Sequence, residues 1–280
     1  MGKLPLIALT VTLTILVMMA VSYFISRVFV HRSIRRLLHS IGKQLLPNFS
    51  APLASTLPVA VQRYLHYALK EGQPNIRYAV LEQKAQFRHR LTSKWSTVTA
   101  TEYISGMEPG FVWDATLRHH TLWFRTAVLS YFKGCGSGHL KLYGSIGLQE
   151  FEGAETDTSM LFRFLSELVW LPTGLLPTNT LRWEHVDNNS ACAIITDGHT
   201  QVSALFVFND VGEIERITTL DKYRDYKSGY EQQAFTLVCG KWKEVEGVMI
   251  PTEVRFVWNT RQGDFEYGIF HVTDVRYYYS

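Results

Sequence analysis

Arg163 and Glu167 stand one helical turn apart in the segment RFLSE, close enough to pair on one helix face. Inside a cavity, such a pair would orient or gate a polar head group. On an exposed helix surface it would be purely structural. Asp114 lies among aromatics in FVWDA. A carboxylate that loses hydration beside Trp113 rises in pKa, as general acids do. The alternative is an outward-facing strand residue bonded to a neighbouring Arg. If Asp114, Arg163 and Glu167 converge on one pocket, they are the trio that an enzyme acting on a lipid or a small amphiphile would use.

The other reactive side chains point away from catalysis. His119 and His120 are adjacent in an expected strand, so they face opposite sides and do not make a two-His metal site. No HExxH or CxxC spacing occurs, so no metal or cofactor site is expected. The run Gly134-Cys135-Gly136-Ser137-Gly138 resembles a phosphate cradle, but a strand and not a helix follows it, which favours a plain β-turn. Three cysteines, Cys135, Cys192 and Cys239, are too few and too scattered for a disulfide framework and read as buried or partly buried small hydrophobes. Asp221 and Arg224 would form an ion pair at a strand end or line a barrel mouth. With no G-x-S-x-G elbow and no Walker motif, no catalytic residue is assigned.

Residues 6–25 are 20 uncharged, mostly apolar residues. At about 1.5 Å rise per residue they span roughly 30 Å, the thickness of a bilayer's hydrocarbon core. A signal peptide would have a shorter apolar core and a small-x-small cleavage site, whereas Met18 occupies the −3 position before Ala20. A single-pass anchor in the plasma (inner) membrane is therefore expected. Lys3 precedes the span, and Arg27, Arg32, Arg35 and Arg36 follow it, so the positive-inside rule weakly favours a cytoplasmic body. Of 28 basic residues, six lie in the first 50, where no Asp or Glu occurs. The remainder, with 22 basic against 25 acidic residues, is poorly suited to nucleic acid.

Behind the span, residues 27–46 read as a basic amphipathic helix with Ile34, Leu37, Leu38, Ile41 and Leu45 on one side and Arg35, Arg36, His39 and Lys43 on the other. It would either lie on anionic headgroups or continue the anchor and pack on the body. A second helix is expected over 57–71, with Thr56 as N-cap. Twelve strand segments follow: 76–90, 97–105, 110–119, 122–132, 138–147, 180–187, 190–197, 200–208, 213–222, 232–246, 250–259 and 264–277. In FVWDATLRH, Phe111, Trp113, Ala115 and Leu117 would share one face, and Asp114, Thr116 and Arg118 the other. One helix, 157–171, interrupts the strands, with Asp157, Thr158 or Ser159 as its cap.

RFLSELVWLPTGLLP (163–177), LPVAVQRYL (57–65), PGFVWDA (109–115), DKYR (221–224) and VEGVMIPTEVRFVW (245–258) together resemble a bacterial family of unknown function. The strand count and the G-x-x-I-P-T turn are similar, more loosely, to the LolA-like half-barrel superfamily. That resemblance implies an incomplete antiparallel barrel around helices that holds lipid or lipoprotein acyl chains, in the periplasm or envelope. The arginine-rich flank points the other way, so both sides of the membrane stay open.

The expected architecture is mainly β: a large curved antiparallel sheet, or half-barrel, of about 11–12 strands with an internal helix, preceded by a transmembrane helix. The expected divisions are 1–26 as anchor, 27–56 as amphipathic helix and linker, and 57–280 as half-barrel. The leading expectation is a membrane-anchored binder of a lipophilic ligand, with the site at Phe111, Trp113, Asp114, Arg163, Phe164, Glu167, Leu168 and Trp170. The alternatives are a tethered interaction module with a filled core, and a lipid-directed enzyme.

Overall fold

The computed structural model describes residues 3–42, 47–120, 123–226 and 229–279. Lys43 and Leu45, expected on the amphipathic helix, lie outside the described residues, as do the side chains of residues 3–6 and of His120. The expected boundary between anchor and basic helix does not interrupt the backbone: α1 runs unbroken over Lys3–Ser40. By length and composition it is fit to cross a membrane, a property that signal sequences share. Residues 7–18 of α1 are exposed. Its second half presents Val30, Ile34, Leu37 and, just past its end, Ile41 at helical spacing. Leu37 and Ile41 pack with Val112 against the outer face of the sheet. The basic segment thus continues the apolar helix onto the body. Arg32, Arg35 and Arg36 face solvent on its far side.

After a short turn of helix, α2 (Ala51–Ala54), comes α3 (Val59–Ala68), which starts behind Pro58, with no side-chain cap from Thr56. Strands follow in two runs. The first is β1 (Ile76–Phe87), β2 (Ser96–Ser105), β3 (Gly110–His120), β4 (Trp123–Phe132), β5 (Cys135–Leu142) and β6 (Ile146–Phe151). Helix α4 (Ala154–Glu167) and two turns of 3-10 helix, Leu168–Trp170 and Pro172–Leu175, separate it from the second. The second run is β7 (Leu181–His185), β8 (Ser190–Asp197), β9 (Thr200–Phe208), β10 (Ile214–Thr219), β11 (Tyr223–Tyr226), β12 (Gly229–Gln232), β13 (Phe235–Val245), β14 (Val248–Thr260) and β15 (Gly263–Tyr279). Thirteen strands form one antiparallel sheet in the order β6-β5-β4-β3-β2-β1-β15-β14-β13-β10-β9-β8-β7. Each run is a meander, and the β1–β15 pairing zips the two together.

The strands β6, β11 and β12 exceed the twelve expected. Segment 138–147 splits because Tyr143 and Gly144 both take positive φ, a tight turn without the usual Asn-Gly signature. The two-stranded ribbon of β11 and β12 has no apolar alternation to betray it.

Helix α4 touches β4 and β5 on one wing of the sheet and β8 and β9 on the other. Nine strand spacings separate β5 from β9, about 43 Å along a flat sheet, whereas a helix is only about 10–12 Å thick. The sheet therefore curls around α4. Two of the three residues expected to cap α4 bind across the interior instead, while Thr158 donates to the Ala154 carbonyl at 2.9 Å. Asp157 Oδ1 accepts the Gly136 N–H at 2.6 Å, and Ser159 Oγ accepts the Tyr223 N–H at 3.0 Å. The open seam is bridged by Gln149 of β6, which donates to Asp225 of the ribbon, and by the Gly134 N–H, which donates to Asp197 at 2.9 Å.

The glycine run thus serves packing: a Cβ on Gly136 would lie 2.9 Å from both Met160 Cγ and the Thr156 carbonyl oxygen. Gly136→Ala is expected to cost about 1–3 kcal/mol in denaturant unfolding of the full chain in detergent. Gly147→Ala, where an added Cβ meets nothing within 4 Å, should stay within about 0.5 kcal/mol. Equal losses at both positions would refute the close approach of β5 to α4.

Candidate functional site

Strand alternation and α4 bring a chain of polar groups together on the inner face. In β2, Val98, Ala100, Glu102 and Ile104 point inward, so a carboxylate occupies an apolar position and is fully buried. Trp113 Nε1 donates to Gln83 Oε1 at 2.9 Å, and Gln83 Nε2 donates to Glu102 Oε2 at 2.8 Å. Arg163 Nη2 donates to Glu102 Oε1 at 3.1 Å, and its Nε donates to both oxygens of Glu167, at 2.9 and 3.0 Å. The guanidinium lies 4.9 Å from the Phe111 ring centroid and 4.8 Å from that of Trp113. Desolvated cation–π contacts of this kind are worth up to about 2 kcal/mol.

Two carboxylates share one guanidinium here. Burial, then the neighbouring Glu167, push the Glu102 carboxyl well above its ordinary range, against the pull of Arg163. Burial opposes the charge of Arg163, but Glu167 and Glu102 outweigh it and the guanidinium is held more firmly protonated. Lys222 reaches the same region. Its Nζ is 5.5 and 5.0 Å from the ring centroids of Phe162 and Phe235 and donates to the Ser159 carbonyl at 3.5 Å. Burial, and then the charge of Arg163, lower the Lys222 pKa from 10.5 to about 7. The result is a charged centre enclosed by aromatic rings.

Of the expected site residues, Phe111, Trp113, Arg163 and Glu167 meet in this network, and Phe164, Leu168 and Trp170 belong to the surrounding core. The Trp170 indole N–H donates to the Pro251 carbonyl at 3.0 Å. Asp114 does not join them. It faces outward and pairs with Arg27 of α1 at 2.6 Å, so Asp114, Arg163 and Glu167 do not form one pocket. The expected Asp221–Arg224 pairing is likewise replaced. Asp221 accepts from the backbone N–H and hydroxyl of Ser203 at 2.8 and 3.1 Å, while Arg224 lies over Tyr226, Phe265 and Trp258. Cys192 and Cys239 are partly buried, and burial raises both thiols away from the nucleophilic range. Cys135 is exposed.

The side chains expected to wall a cavity are instead closely packed. Among the described residues, neither of two surface clefts is lined by any of the eight expected residues. The larger, about 580 Å³, lies between the end of α1, the 105–109 turn and the 173–180 segment. The smaller, about 280 Å³, opens at the other end of β1 to β4, lined by Phe87 and Leu117 with His89, Arg90, Ser96, His119 and Arg125 among its polar groups. Ser96 Oγ lies 2.9 Å from the His119 ring. One cross-strand row lies between this cleft and the charged network. Deeper in are Ala100, Ala115 and Ala127, then Glu102 and Trp113. Small, buried side chains thus separate the cleft from the charged network.

Glu102, Gln83 and Lys222 were absent from the sequence-based site. The first two had a readable signal, a polar residue at an inward position of an alternating strand. Lys222 had none, because its place depends on how the 220–223 segment crosses α4.

An open antiparallel half-barrel wrapped around a helix, with a charged centre inside, defines the class of protein. Residues 47–270 match the DUF6544 profile, a family of unknown function, and the chain belongs to that family. No curated protein matches it. Among solved structures it is similar to a DUF1329 family protein from Desulfovibrio piger, with 13% identity over 78% of this chain and 90% of that one and a TM-score of 0.43. It is also similar to a domain assigned as an outer membrane lipoprotein-sorting protein from Vibrio parahaemolyticus (11%, 81% and 91%, TM-score 0.42). A LolA superfamily protein from Nitrosomonas europaea gives 9% identity over 78% and 91% of the two chains, with a TM-score of 0.37.

Arg163→Met leaves Glu102 and Glu167 without their cation and is expected to cost about 3–5 kcal/mol of unfolding free energy. A loss under about 1 kcal/mol would show that the network contributes little. Because the folded protein resists protonating Lys222, stability should rise with pH from about 7 toward 10.5. Comparing unfolding across that window, Lys222→Met should flatten the rise, and an unchanged slope would assign it to other groups.

Proposed function

We propose that the protein is a membrane-anchored binding protein for a lipophilic ligand, a lipid or acyl chain with an acidic head, held on the inner face of the half-barrel. The observation that carries this reading is the 280 Å³ cleft, which sets apolar Phe87 and Leu117 beside Arg90, Arg125 and His119. Apolar burial contributes about 25 cal/mol per Å², and a cationic rim selects an anionic head. The chain would run over Ala100 and Ala115 toward Trp113 and Arg163. α1 would anchor the protein by a single pass in the plasma membrane, keeping the cleft beside its lipid source. The arginines after the span favour a cytoplasmic body.

A second reading is a tethered interaction module. The packing of Phe111, Phe164, Leu168 and Trp170 into the core favours it, since no large cavity is needed for that role.

Native mass spectrometry of the full-length protein released from detergent separates the two. One retained lipid per chain is expected, with Ala115→Trp filling the path and lowering the bound fraction several-fold. Leu117→Arg at the cleft serves where the first variant fails to fold. A wild-type protein that carries no lipid leaves only the interaction module standing.

A further inference from the structure

The end of the sheet that holds the smaller cleft has a composition unlike the rest of the body. Segments 88–95, 117–125 and 139–148 contain Arg88, Arg90, Lys94, Arg118, Arg125 and Lys141 and no Asp or Glu. The remainder of the chain after residue 50 carries more acidic than basic residues, so the cations are concentrated here. Strand register places these segments at one end. Phe87 pairs with Ser96, Thr97 with Arg118, Arg118 with Phe124, and Arg125 with Leu142.

Apolar side chains protrude among these charges. Trp123, Ile146 and Leu148 are 58%, 49% and 47% exposed. The Tyr143 ring lies 5.8 Å from that of Trp123 and 5.4 Å from that of Phe124, and the guanidinium of Arg118 is 5.6 Å from the Phe124 ring centroid. Aromatic rings backed by cations are the composition of a membrane–water interface.

The contacts of α1 place this patch at a definite depth. The Ser145 hydroxyl donates to the Met19 carbonyl at 2.7 Å, the Ser22 hydroxyl donates to the Ser145 carbonyl at 3.1 Å, and Tyr23 packs over Gly144. Met19 to Tyr23 lie within the apolar stretch that ends at Ile25. At 1.5 Å per residue, the β5–β6 turn meets α1 about 3–9 Å inside the hydrocarbon edge, close to the depth at which interfacial segments bury their apolar side chains.

We propose that this end of the half-barrel is a second membrane contact. Trp123, Tyr143, Ile146 and Leu148 enter the interfacial layer of an anionic bilayer, and Arg90, Lys94, Arg118 and Arg125 engage its headgroups. The cleft then opens onto the membrane surface. The proposal rests on the reading of α1 as a span, but not on ligand binding.

Spin labels on the full-length protein in vesicles test it, with Cys135→Ser as background. Trp123→Cys and Ile146→Cys carry the probes, Leu13→Cys marks α1, and Val211→Cys marks an exposed apolar position elsewhere. In vesicles containing phosphatidylglycerol, labels at 123 and 146 should be several-fold more accessible to oxygen, relative to a water-soluble nickel chelate, than the label at 211. Pure phosphatidylcholine, or the pair Arg90→Glu and Arg118→Glu, should reduce that difference. If 123 and 146 match 211 while 13 stays in the bilayer, the second contact is overturned and the anchor survives. If 13 itself is aqueous, the anchor fails and the proposal with it.

Discussion

A thirteen-stranded sheet that does not close must cover its inner face with something other than itself, and α4 meets that constraint. The connection from β6 to β7 joins the two outermost strands, so its shortest course crosses the interior. Leu161, Phe164, Leu165 and Leu168 on this crossing are buried against the sheet. Gly136 permits the approach on one wing, and Ser159 ties the helix to the segment after β10 on the other. The sheet's curvature and the position of the interior charges follow from this one crossing.

Having a helix inside the sheet makes a buried charge tolerable. Arg163 on α4 and Glu102 on β2 come from elements that meet only in the folded state, and Glu167 completes the pairing from the same helix. Desolvation of such groups is offset only when the geometry satisfies them nearly completely, and the guanidinium here has both carboxylates and two aromatic faces. An apolar trio of equal volume would be as stable or more so by the usual comparison. Stability alone therefore does not account for the choice of these residues. Lys222 adds a second basic side chain to this interior, its pKa lowered to about 7 by burial and by the charge of Arg163.

The sequence made local geometry legible and left long-range placement hidden. Alternation in FVWDATLRH correctly put Trp113 and Asp114 on opposite faces, and the apolar stripe of 157–171 located the interior helix within a few residues. It also held the inward Glu102 in TVTATEYIS, readable as a charge on an apolar face. What covers the outer face of β3 was not readable: α1 lies there, and Arg27 takes Asp114 into an ion pair 87 residues distant along the chain. Asp114 looked like a site residue because its sequence neighbours are aromatic, yet a strand sends neighbours to opposite sides. Lys222 escaped notice for the converse reason, since nothing local marks a residue that gains its surroundings from α4 and β13.

The packing of α1 has a consequence for orientation. A helix held only at its tip would leave the body free to swing, but the second half of α1 lies along β3 and β2. Leu37 and Ile41 are packed at the Gly110 end, and Met19 to Tyr23 are bonded at the Ser145 end. These points lie about 21–27 Å apart on the helix axis, from Met19 or Tyr23 to Leu37, a lever long enough to fix the angle between helix and strands. If α1 crosses a bilayer, the strand ends carrying Arg118, Trp123 and Arg125 are the ones that face it, and the larger cleft faces away. Rigid attachment, rather than any property of the cleft itself, would then decide which opening a membrane molecule meets first.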